Sequence, residues 1–376
     1  MRIAVNTRLL LPGKLEGIGW FAHESLKRIT AAHPEHQFIY FFDRPYAAQF
    51  VHSPNVTPVV IPPPTRHPIL YRIWFDLMLP RALRKHRADA FLSPDGYLSL
   101  RTDVPQLAVM HDLNFEHFPE DLPRAYSRFY RTFFPRFAEK AARIVTVSQF
   151  SKQDIVSTYG IAPEKIDVVY NGIGSVFVPL AEAGKEAVRQ QHTGGLPYFV
   201  CVGSLHPRKN IARLLEAFDQ FAEKRNDARL VIVGEAFWWD DRMKAAWKKM
   251  RHADKVTFTG RLEQTQLHNT LASALALVFV SYFEGFGIPV AEAMKCGVPV
   301  IAANSTSLPE VAGDAAVYCD PFSAESICAA MELLWTDGDL RNKLAATGIA
   351  RAANYTWDRT AQGLWRSMEK MLLEQR

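Results

Sequence analysis

Long apolar stretches are missing from this sequence of 376 residues, and no run approaches the roughly 18–20 residues that a bilayer-spanning helix needs. Cysteine is also scarce: the four cysteines form no Cys-x-x-Cys pair, and free core thiols fit a reducing cytoplasm. The start of the chain, Met1 to Arg8, is too polar for a signal peptide and predicts a first strand. We therefore expect a soluble cytoplasmic protein, or one that lies peripherally at the inner face of a membrane.

Two common nucleotide-binding motifs are absent. No Gly-x-Gly-x-x-Gly follows the first predicted strand, which argues against a nicotinamide cofactor, and there is no Gly-x4-Gly-Lys-Ser/Thr phosphate loop. The segment Asp337-Gly338-Asp339 matches the Asp-x-Asp motif of metal-dependent sugar transferases. It falls between two late predicted helices, however, where Asp337 or Asp339 is suited to cap a helix N-terminus. We therefore predict a cap here and no required metal.

Positive charge is concentrated in two stretches of a chain whose net charge is +5. Residues 66–87 and 124–143 each carry six lysines and arginines against a single acid, with helical periodicity and interleaved aromatic residues. Such helices can bind an anionic membrane surface or a phosphorylated acceptor. Alternatively, the aromatic faces of these helices pack under the first sheet, and their basic faces are exposed to solvent without binding a partner. No nucleic-acid motif accompanies the charge, so nucleic acid is not an expected partner.

Strands and helices alternate along both halves of the chain. Continuous apolar strands, separated by helices of about 10–15 residues, predict parallel sheets covered on both faces. Two such halves predict an α/β protein with two doubly wound, Rossmann-like domains that bind ligands beyond the carboxyl ends of their strands. We interpret the less patterned stretch from Gly174 to Pro197 as the connection between domains. Pro80 and Pro135 are expected to kink or split the helices that contain them.

The most informative segment holds two carboxylates eight positions apart, Glu284 and Glu292. It follows the apolar run Leu275 to Val280, so Glu284 is predicted on a strand-to-helix turn and Glu292 within the helix. Gly285 and Gly287 leave backbone amides unshielded at the helix start, which is an arrangement that binds anions. Amides for phosphate and carboxylates for hydroxyl groups together indicate a nucleotide-sugar. The alternative is a strand–turn–helix with an ordinary surface acid.

A second segment carries two adjacent cations at the end of a predicted strand. Arg208 and Lys209 precede Asn210, which is suited to cap the next helix. Two cations beside a helix start can neutralise a diphosphate, and the alternative is two surface cations on a turn. Further along, Ser307 and Glu310 fit a capping box.

The segment from Glu284 to Glu292 resembles the Glu-x7-Glu motif of the retaining glycosyltransferases of family 4, which have the GT-B fold. Four further segments resemble motifs of the same family and follow the expected order, so that the similarity spans nearly the whole chain. They are Gly17-Ile18-Gly19, His111-Asp112-Leu113, the phosphate loop Val202 to Asn210, and Ser307 to Ala316.

This resemblance implies two domains that face each other. Residues 1–172, joined by a C-terminal helix at about 358–376, would bind the acceptor, and residues 173–357 would bind the nucleotide-sugar donor. Transfer would be retaining, because the acceptor attacks the face from which the nucleotide leaves. The protein would then supply positioning and charge stabilisation.

The resemblance also assigns donor contacts to single residues. Arg208 and Lys209 would stabilise the charge that accumulates on the leaving phosphate. Glu284 would contact hydroxyl groups of the transferred sugar, and Glu292 those of the ribose. The other donor-binding residues that the family implies are Gly17, Gly19, Gly203, Ser204, Gly234, Arg261, Gly285, Phe286, Gly287 and Ile288.

His111 would face the donor sugar or the acceptor, with Asp112 orienting its ring or binding the acceptor. An acid or base role for His111 is conceivable because the imidazole pKa lies near neutrality. In the alternative, Asp112 holds His111 for structural reasons only. One departure from the family concerns Ser204, where some relatives carry an arginine, so we expect one phosphate contact to be weaker or supplied elsewhere.

We therefore expect a retaining hexosyltransferase that moves a sugar from a nucleotide-sugar to a glycan or lipid-linked acceptor in surface-polysaccharide or lipopolysaccharide synthesis, without a cofactor. His111-Asp112-Leu113 together with Pro119-Glu120 resembles mannosyltransferases of the family, so we favour GDP-mannose over a UDP-hexose. The alternatives are a nucleotide-sugar epimerase of similar fold, a glycan phosphorylase and a non-catalytic nucleotide-sugar-binding relative. A phosphorylase would need a pyridoxal-phosphate lysine site and a much longer chain.

Overall fold

The computed structural model describes residues 1–235 and 240–374 of the chain. They form two compact α/β units. The first comprises Met1–Gly172 and the segment that begins at Thr356, and the second comprises Ile173–Tyr355. Each unit has one sheet of parallel strands connected by helices. The predicted α/β class with two doubly wound sheets is therefore confirmed.

The sheet of the first unit has seven strands. They are β1 (Arg2–Asn6), β2 (Gln37–Phe42), β3 (Val56–Val60), β4 (Ala90–Ser93), β5 (Gln106–Val109), β6 (Arg143–Thr146) and β7 (Ile166–Val168). Their order across the sheet is β3-β2-β1-β4-β5-β6-β7, which reverses direction at β1. Because β4 and β5 are buried along their whole length, they appear in the sequence as short, nearly continuous apolar runs.

The two prolines in helices of the first unit have different effects. The helices are α1 (Gly17–Ala32), α2 (Pro68–Ile73), α3 (Leu79–Lys85), α4 (Asn114–His117), α5 (Arg124–Lys140) and α6 (Gln149–Tyr159). Pro80 lies in the first turn of α3, directly after the π-helical segment Trp74–Met78, so the predicted helix is divided there. Pro135 lies inside α5, and α5 is not split. Buried phenylalanines on both sides of Pro135, Phe129 and Phe137, hold that helix against the core.

The sheet of the second unit has six strands in the order β10-β9-β8-β11-β12-β13. The strands are β8 (Tyr198–Val202), β9 (Arg229–Val233), β10 (Val256–Gly260), β11 (Ala276–Phe279), β12 (Val300–Ala303) and β13 (Ala316–Cys319). The helices are α7 (Glu182–Thr193), α8 (Ile211–Ala222), α9 (Asp241–Lys249), α10 (Gln264–Ala272), α11 (Ile288–Lys295), α12 (Leu308–Ala312), α13 (Ala324–Thr336) and α14 (Gly338–Ala352). Strands β9 and β10 lie on one side of β8 and the later strands on the other, so that β8 and β11 are parallel neighbours. The carboxyl ends of β8 and β11 therefore place two loops side by side.

The stretch from Gly174 to Pro197 is more ordered than its sequence indicates. It contains α7, which lies within the second unit. Only Thr193 of this helix is buried, so the sequence has no apolar stripe at helical spacing to reveal it. The helix ends at Gly194, whose φ of +64° is the left-handed conformation usual for a glycine cap.

The last helix, α15 (Trp357–Glu374), packs on the first unit against α1. The Trp365 ring stacks on His33 with ring centroids 3.8 Å apart, and Arg143 pairs with Glu374 at 2.7 Å. Residues 375 and 376 of the predicted C-terminal helix lie outside the described residues. None of the helices in the described ranges is long and apolar enough to cross a membrane.

Candidate functional site

Two glycines at the carboxyl ends of β8 and β9 shape the loop that carries the predicted cations. Gly203 has a φ of +149°, and its N–H donates to the Val233 carbonyl at 2.9 Å. A Cβ atom on Gly234 would lie 1.9 Å from the Gly203 carbonyl oxygen. The two backbones therefore approach more closely than any side chain permits. Ser204, the departure from the family pattern, is half-buried directly after this contact.

The short 3-10 turn Pro207–Lys209 then aims Arg208 and Lys209 inward. The His206 ring accepts a hydrogen bond from the Arg208 N–H at 3.3 Å, which fixes the start of the turn. Burial, together with the two neighbouring cations, lowers the pKa of His206 to about 4, so the ring is neutral. The predicted cap at Asn210 is wrong in its chemistry: the side-chain amide donates to the Val280 carbonyl at 3.1 Å and does not accept from α8.

The structure brings Arg208, Lys209 and Glu284 into one buried ion cluster. Lys209 Nζ and Arg208 Nη1 both lie 2.6 Å from Glu284 Oε1. Only 6% of Glu284 is exposed. Burial alone raises the pKa of Glu284, but the two cations outweigh burial and hold it at about 2. Burial lowers the pKa of Lys209, and the Glu284 carboxylate opposes that effect. The cluster has two positive charges and one negative charge, so it favours a further anion.

Hydroxyl groups of the loop after β12 hold the backbone of Glu284 in place. The Glu284 N–H donates to Thr306 Oγ1 at 3.1 Å, and Ser307 Oγ donates to the Glu284 carbonyl at 2.9 Å. The predicted capping box at Ser307 is therefore wrong, because its hydroxyl is engaged by Glu284 and makes no cap on α12. Thr306 has a φ of +52°, a strained conformation for a β-branched residue. Sequence reasoning missed Thr306, which the polar run Ser305-Thr306-Ser307 could have suggested.

Glu292 lies in α11, whose start is a glycine turn. Gly287 occupies the N-cap position with a φ of +89°, and a Cβ atom there would lie 2.5 Å from the Leu308 side chain. No side chain caps the first turn among the described residues; Pro289 has no N–H, and the Val290 N–H donates to the Gly287 carbonyl at 3.0 Å. Burial raises the pKa of Glu292 to about 8, although Lys295 acts in the opposite direction. No described residue donates a hydrogen bond to this carboxyl group.

Four further residues predicted on the donor side lie in the second unit. Gly285 is buried next to Glu284, and Ile288 begins α11. The buried Phe286 packs edge-on against Tyr355, with ring centroids 5.3 Å apart. Arg261 is exposed directly after β10.

His111 lies in the first unit, in the loop after β5. Its Nε2 donates to the Pro94 carbonyl at 2.8 Å, and Phe21 packs edge-on against the ring. Burial lowers the pKa of His111, opposed by the Pro94 hydrogen bond and the nearby acids, so the imidazole is neutral. With the proton on Nε2, Nδ1 is a hydrogen-bond acceptor. Asp112 does not hold the ring, because its carboxylate accepts from the Asn114 N–H at 3.1 Å.

The glycines Gly17 and Gly19 lie in the first turn of α1. The Trp20 N–H donates to the Glu16 carbonyl at 2.8 Å, so the helix begins earlier than its apolar pattern indicates. Gly19 is buried, and a Cβ atom on it would lie 3.2 Å from the Leu9 carbonyl oxygen. Its small size therefore serves the packing of the preceding loop on the helix.

A buried arginine of the first unit was not predicted. Arg8 follows β1, and its Nε lies 2.7 Å from Asp95 Oδ2. Its guanidinium group also stacks over the Tyr97 ring at 4.2 Å. Asn6 donates to the other oxygen of Asp95 at 2.8 Å, which joins the ends of β1 and β4. The signal in the sequence is the polar run Asn6-Thr7-Arg8 directly after an apolar strand.

The Asp-x-Asp segment is a helix cap, as predicted. Asp337 occupies the N-cap position of α14, and its side chain accepts from the Leu340 N–H at 2.8 Å. Within residues 1–235 and 240–374, no three His, Cys, Asp or Glu side chains are grouped so that they could hold a metal ion.

Comparison with known proteins identifies both units. The model of the family described as glycosyl transferases group 1 matches residues 184–351, and that of glycosyltransferase family 4 matches residues 16–174. The chain is 28% identical over 357 residues to the O-antigen chain mannosyltransferase B of Escherichia coli, covering 92% of this chain and 93% of that protein.

Solved structures show the same fold at lower sequence identity. Sucrose-phosphate synthase from Thermosynechococcus elongatus has a TM-score of 0.79 at 17% identity and covers 99% of both chains. HepE of Anabaena, solved with UDP-glucose, has a TM-score of 0.75 at 17% identity and covers 98% of this chain and all of its own. The expected GT-B fold is thereby confirmed. The two family models, one for each unit, show that the chain belongs to the family 4 glycosyltransferases.

Proposed function

We propose that this chain is a nucleotide-sugar-dependent hexosyltransferase of surface-polysaccharide synthesis, and that the Arg208–Lys209–Glu284 cluster binds the donor. The cluster is the observation that carries the proposal, because two cations converge on one buried carboxylate oxygen at the end of a parallel sheet. Family membership and the similarity to an O-antigen mannosyltransferase support it.

The cluster suits the bond that breaks in sugar transfer. As a glycosyl–phosphate bond breaks, negative charge develops on the departing diphosphate, and Arg208 and Lys209 are fixed beforehand to stabilise it. Lys209 is only 8% exposed, so its charge is poorly screened by water. The N-terminal end of α11, which carries a partial positive charge, favours the same diphosphate.

We assign Glu284 and Glu292 to different hydroxyl groups of the donor. Both ion pairs of Glu284 use Oε1, and no described residue bonds Oε2, which is left to accept from a hydroxyl group of the transferred sugar. Glu292 has no hydrogen-bonding partner among the described residues, although burial disfavours its charged form. Hydroxyl groups of the ribose are the partners that we assign to it.

His111 contributes to the acceptor side of the reaction. A neutral ring with Nε2 bonded to Pro94 presents Nδ1 as an acceptor, so it can orient a hydroxyl group of the acceptor or of the donor sugar. We propose that transfer is retaining, needs no metal and uses no covalent chemistry of the protein. Asp112 then serves to fix the loop after His111, where its carboxylate accepts from the Asn114 N–H.

GDP-mannose is the donor that we propose, with a UDP-hexose as the competing choice. The O-antigen relative is named a mannosyltransferase and covers nearly the full length of both chains. The acceptor is a glycan or lipid-linked glycan. We place the enzyme in the cytoplasm at the inner face of the membrane, where the basic segment 66–87 meets anionic lipid. The exposed side chain of Ile69, which lies within this segment, supports a contact with the membrane.

A transfer assay tests this function. The protein is incubated with GDP-mannose or UDP-glucose, with and without methyl α-mannoside and O-antigen oligosaccharides, and released nucleotide and products are quantified. We expect nucleotide release from one donor that depends on acceptor, and about 100-fold less with Glu284→Gln. The matched control is Glu216→Gln, which removes an exposed acid from α8. Isomerisation of a donor without acceptor would show an epimerase, and donor binding without turnover would show a non-catalytic relative.

A further inference from the structure

An open groove in the first unit lies apart from the residues assigned above. It has a volume of about 920 Å³ and lies between α4, the 3-10 turn Pro119–Asp121 and the N-terminal half of α5. Its two walls differ in charge. Glu116 and Glu120 come from α4 and the turn, and the lining arginines all come from α5.

The positive charges of the arginines at the start of α5 are unfavourable at that end of a helix. The N-terminal end of a helix carries a partial positive charge and is stabilised by acids, yet the first turn of α5 contains no acid and has no side-chain cap. Arg124 begins the helix, and Arg128 follows at a spacing where like charges repel. No acid among the described residues pairs with either side chain. A bound anion would relieve both unfavourable interactions, which is the pattern expected where a local rule is broken for function.

The rest of the groove is built before any ligand arrives. Glu116 Oε1 accepts from the Tyr159 hydroxyl at 2.9 Å, and Glu116 Oε2 accepts from Arg131 Nε at 3.3 Å. Ser127 lines the groove, is only 7% exposed and makes no side-chain hydrogen bond among the described residues. The Ser127 hydroxyl group can therefore donate to or accept from a polar ligand in the groove.

We propose that this groove binds a phosphate group carried by the acceptor, with Arg124 and Arg128 holding the phosphate. Glu116 and Glu120 accept hydrogen bonds from the adjoining sugar hydroxyl groups, and Ser127 bonds the ligand at the base of the groove. The inference rests on the proposed function, which it deepens by naming the class of acceptor as a glycosyl phosphate. It is favoured over a donor role because α4 begins at Asn114, directly after the His111 loop.

Two double variants, each lacking two cations of α5, separate the contribution of the groove from that of general charge. The test variant is Arg124→Gln/Arg128→Gln. The control is Arg136→Gln/Lys140→Gln, which removes two exposed cations from the same helix outside the groove. Glucose 1-phosphate and glucose are titrated calorimetrically into the wild type and both variants. We expect binding of glucose 1-phosphate to weaken about tenfold or more only in the test variant, and weak glucose binding to be equal in all three.

The source of the phosphate is distinguished by sedimentation with vesicles of phosphatidylcholine, alone or mixed with phosphatidylglycerol. Loss of vesicle binding in the test variant, with unchanged affinity for glucose 1-phosphate, would assign the arginines to lipid headgroups and overturn the proposal. Equal affinities for glucose 1-phosphate in all three proteins would overturn it as well. Any glucose 1-phosphate that binds at Arg208 and Lys209 does so equally in the wild type and both variants, because these residues are unchanged. A wild type that binds glucose 1-phosphate through the groove but binds no nucleotide would refute the donor assignment alone.

Discussion

Replacing Glu292 by glutamine should stabilise the protein near neutral pH while it weakens nucleotide binding. The side chain lies partly buried in α11 without a hydrogen-bonding partner among the described residues. Ionising a carboxyl group in such a place is unfavourable. Glutamine has nearly the same shape and carries no charge to desolvate, but it cannot reproduce the acceptor pair that we assign to the ribose.

The magnitude follows from the pKa of Glu292, which lies at about 8 against an ordinary value of 4.5. Because the folded-state pKa is the higher one, the stability contribution is complete below about pH 4.5 and is lost progressively as the pH rises to about 8. At about 1.4 kcal/mol per pKa unit, the loss reaches an upper limit of about 4 kcal/mol at about pH 7.5. Since part of the side chain is exposed, we expect Glu292→Gln to gain about 1–3 kcal/mol there.

The assay is thermal unfolding of both proteins at about pH 5 and about pH 7.5. A gain of 1 kcal/mol corresponds to about 2–4 °C for a domain of this size, and the difference between variant and wild type should widen at the higher pH. Glu216→Gln, which changes an exposed acid of α8, is the control and should show no widening. A Glu292→Gln variant with equal or lower stability at both pH values would refute the reasoning.

Three further predictions concern the second unit. Lys209→Gln should destabilise it by about 2–3 kcal/mol, since Glu284 keeps only one of its two buried partners, and thermal unfolding measures the loss. Gly234→Ala should lower stability by about 2–4 kcal/mol and abolish nucleotide binding, because the new Cβ atom would lie 1.9 Å from a carbonyl oxygen; Gly260→Ala, at a positive φ with open space around it, should cost only about 1 kcal/mol. Asp337→Ala should cost about 1 kcal/mol through the lost cap of α14, and transfer activity that fell or became metal-dependent would contradict the cap assignment.

The fold could be predicted because its signals are local. Parallel strands buried on both faces are continuous apolar runs, and the helices that cover them carry apolar stripes. Helix α7 was not predicted because only its Thr193 is buried, so its sequence has no apolar residues at helical spacing. The start of α1 is difficult to locate from the sequence because its first turn holds two glycines, which have low helix propensity.

The residue types of the candidate site could be predicted, but their contacts could not. Arg208 and Glu284 are distant in sequence, and the guanidinium group reaches Glu284 Oε1 only because β8 and β11 are neighbours in the sheet. The same pairing of loops diverts the Ser307 hydroxyl from its predicted cap to the Glu284 carbonyl. Arg8 was missed because its neighbours in sequence do not indicate that it pairs with Asp95, which lies far along the chain.

The most direct test of the central claim is a calorimetric titration of GDP, UDP and ADP into the wild type and Lys209→Ala. Lys343→Ala, which removes an exposed lysine from α14, is the matched control. We expect the wild type and the control to bind one nucleotide tightly, and Lys209→Ala to bind it at least about 100-fold more weakly. Equal binding by all three proteins, or no binding of any nucleotide by the wild type, would contradict the assignment of the cluster to the donor diphosphate.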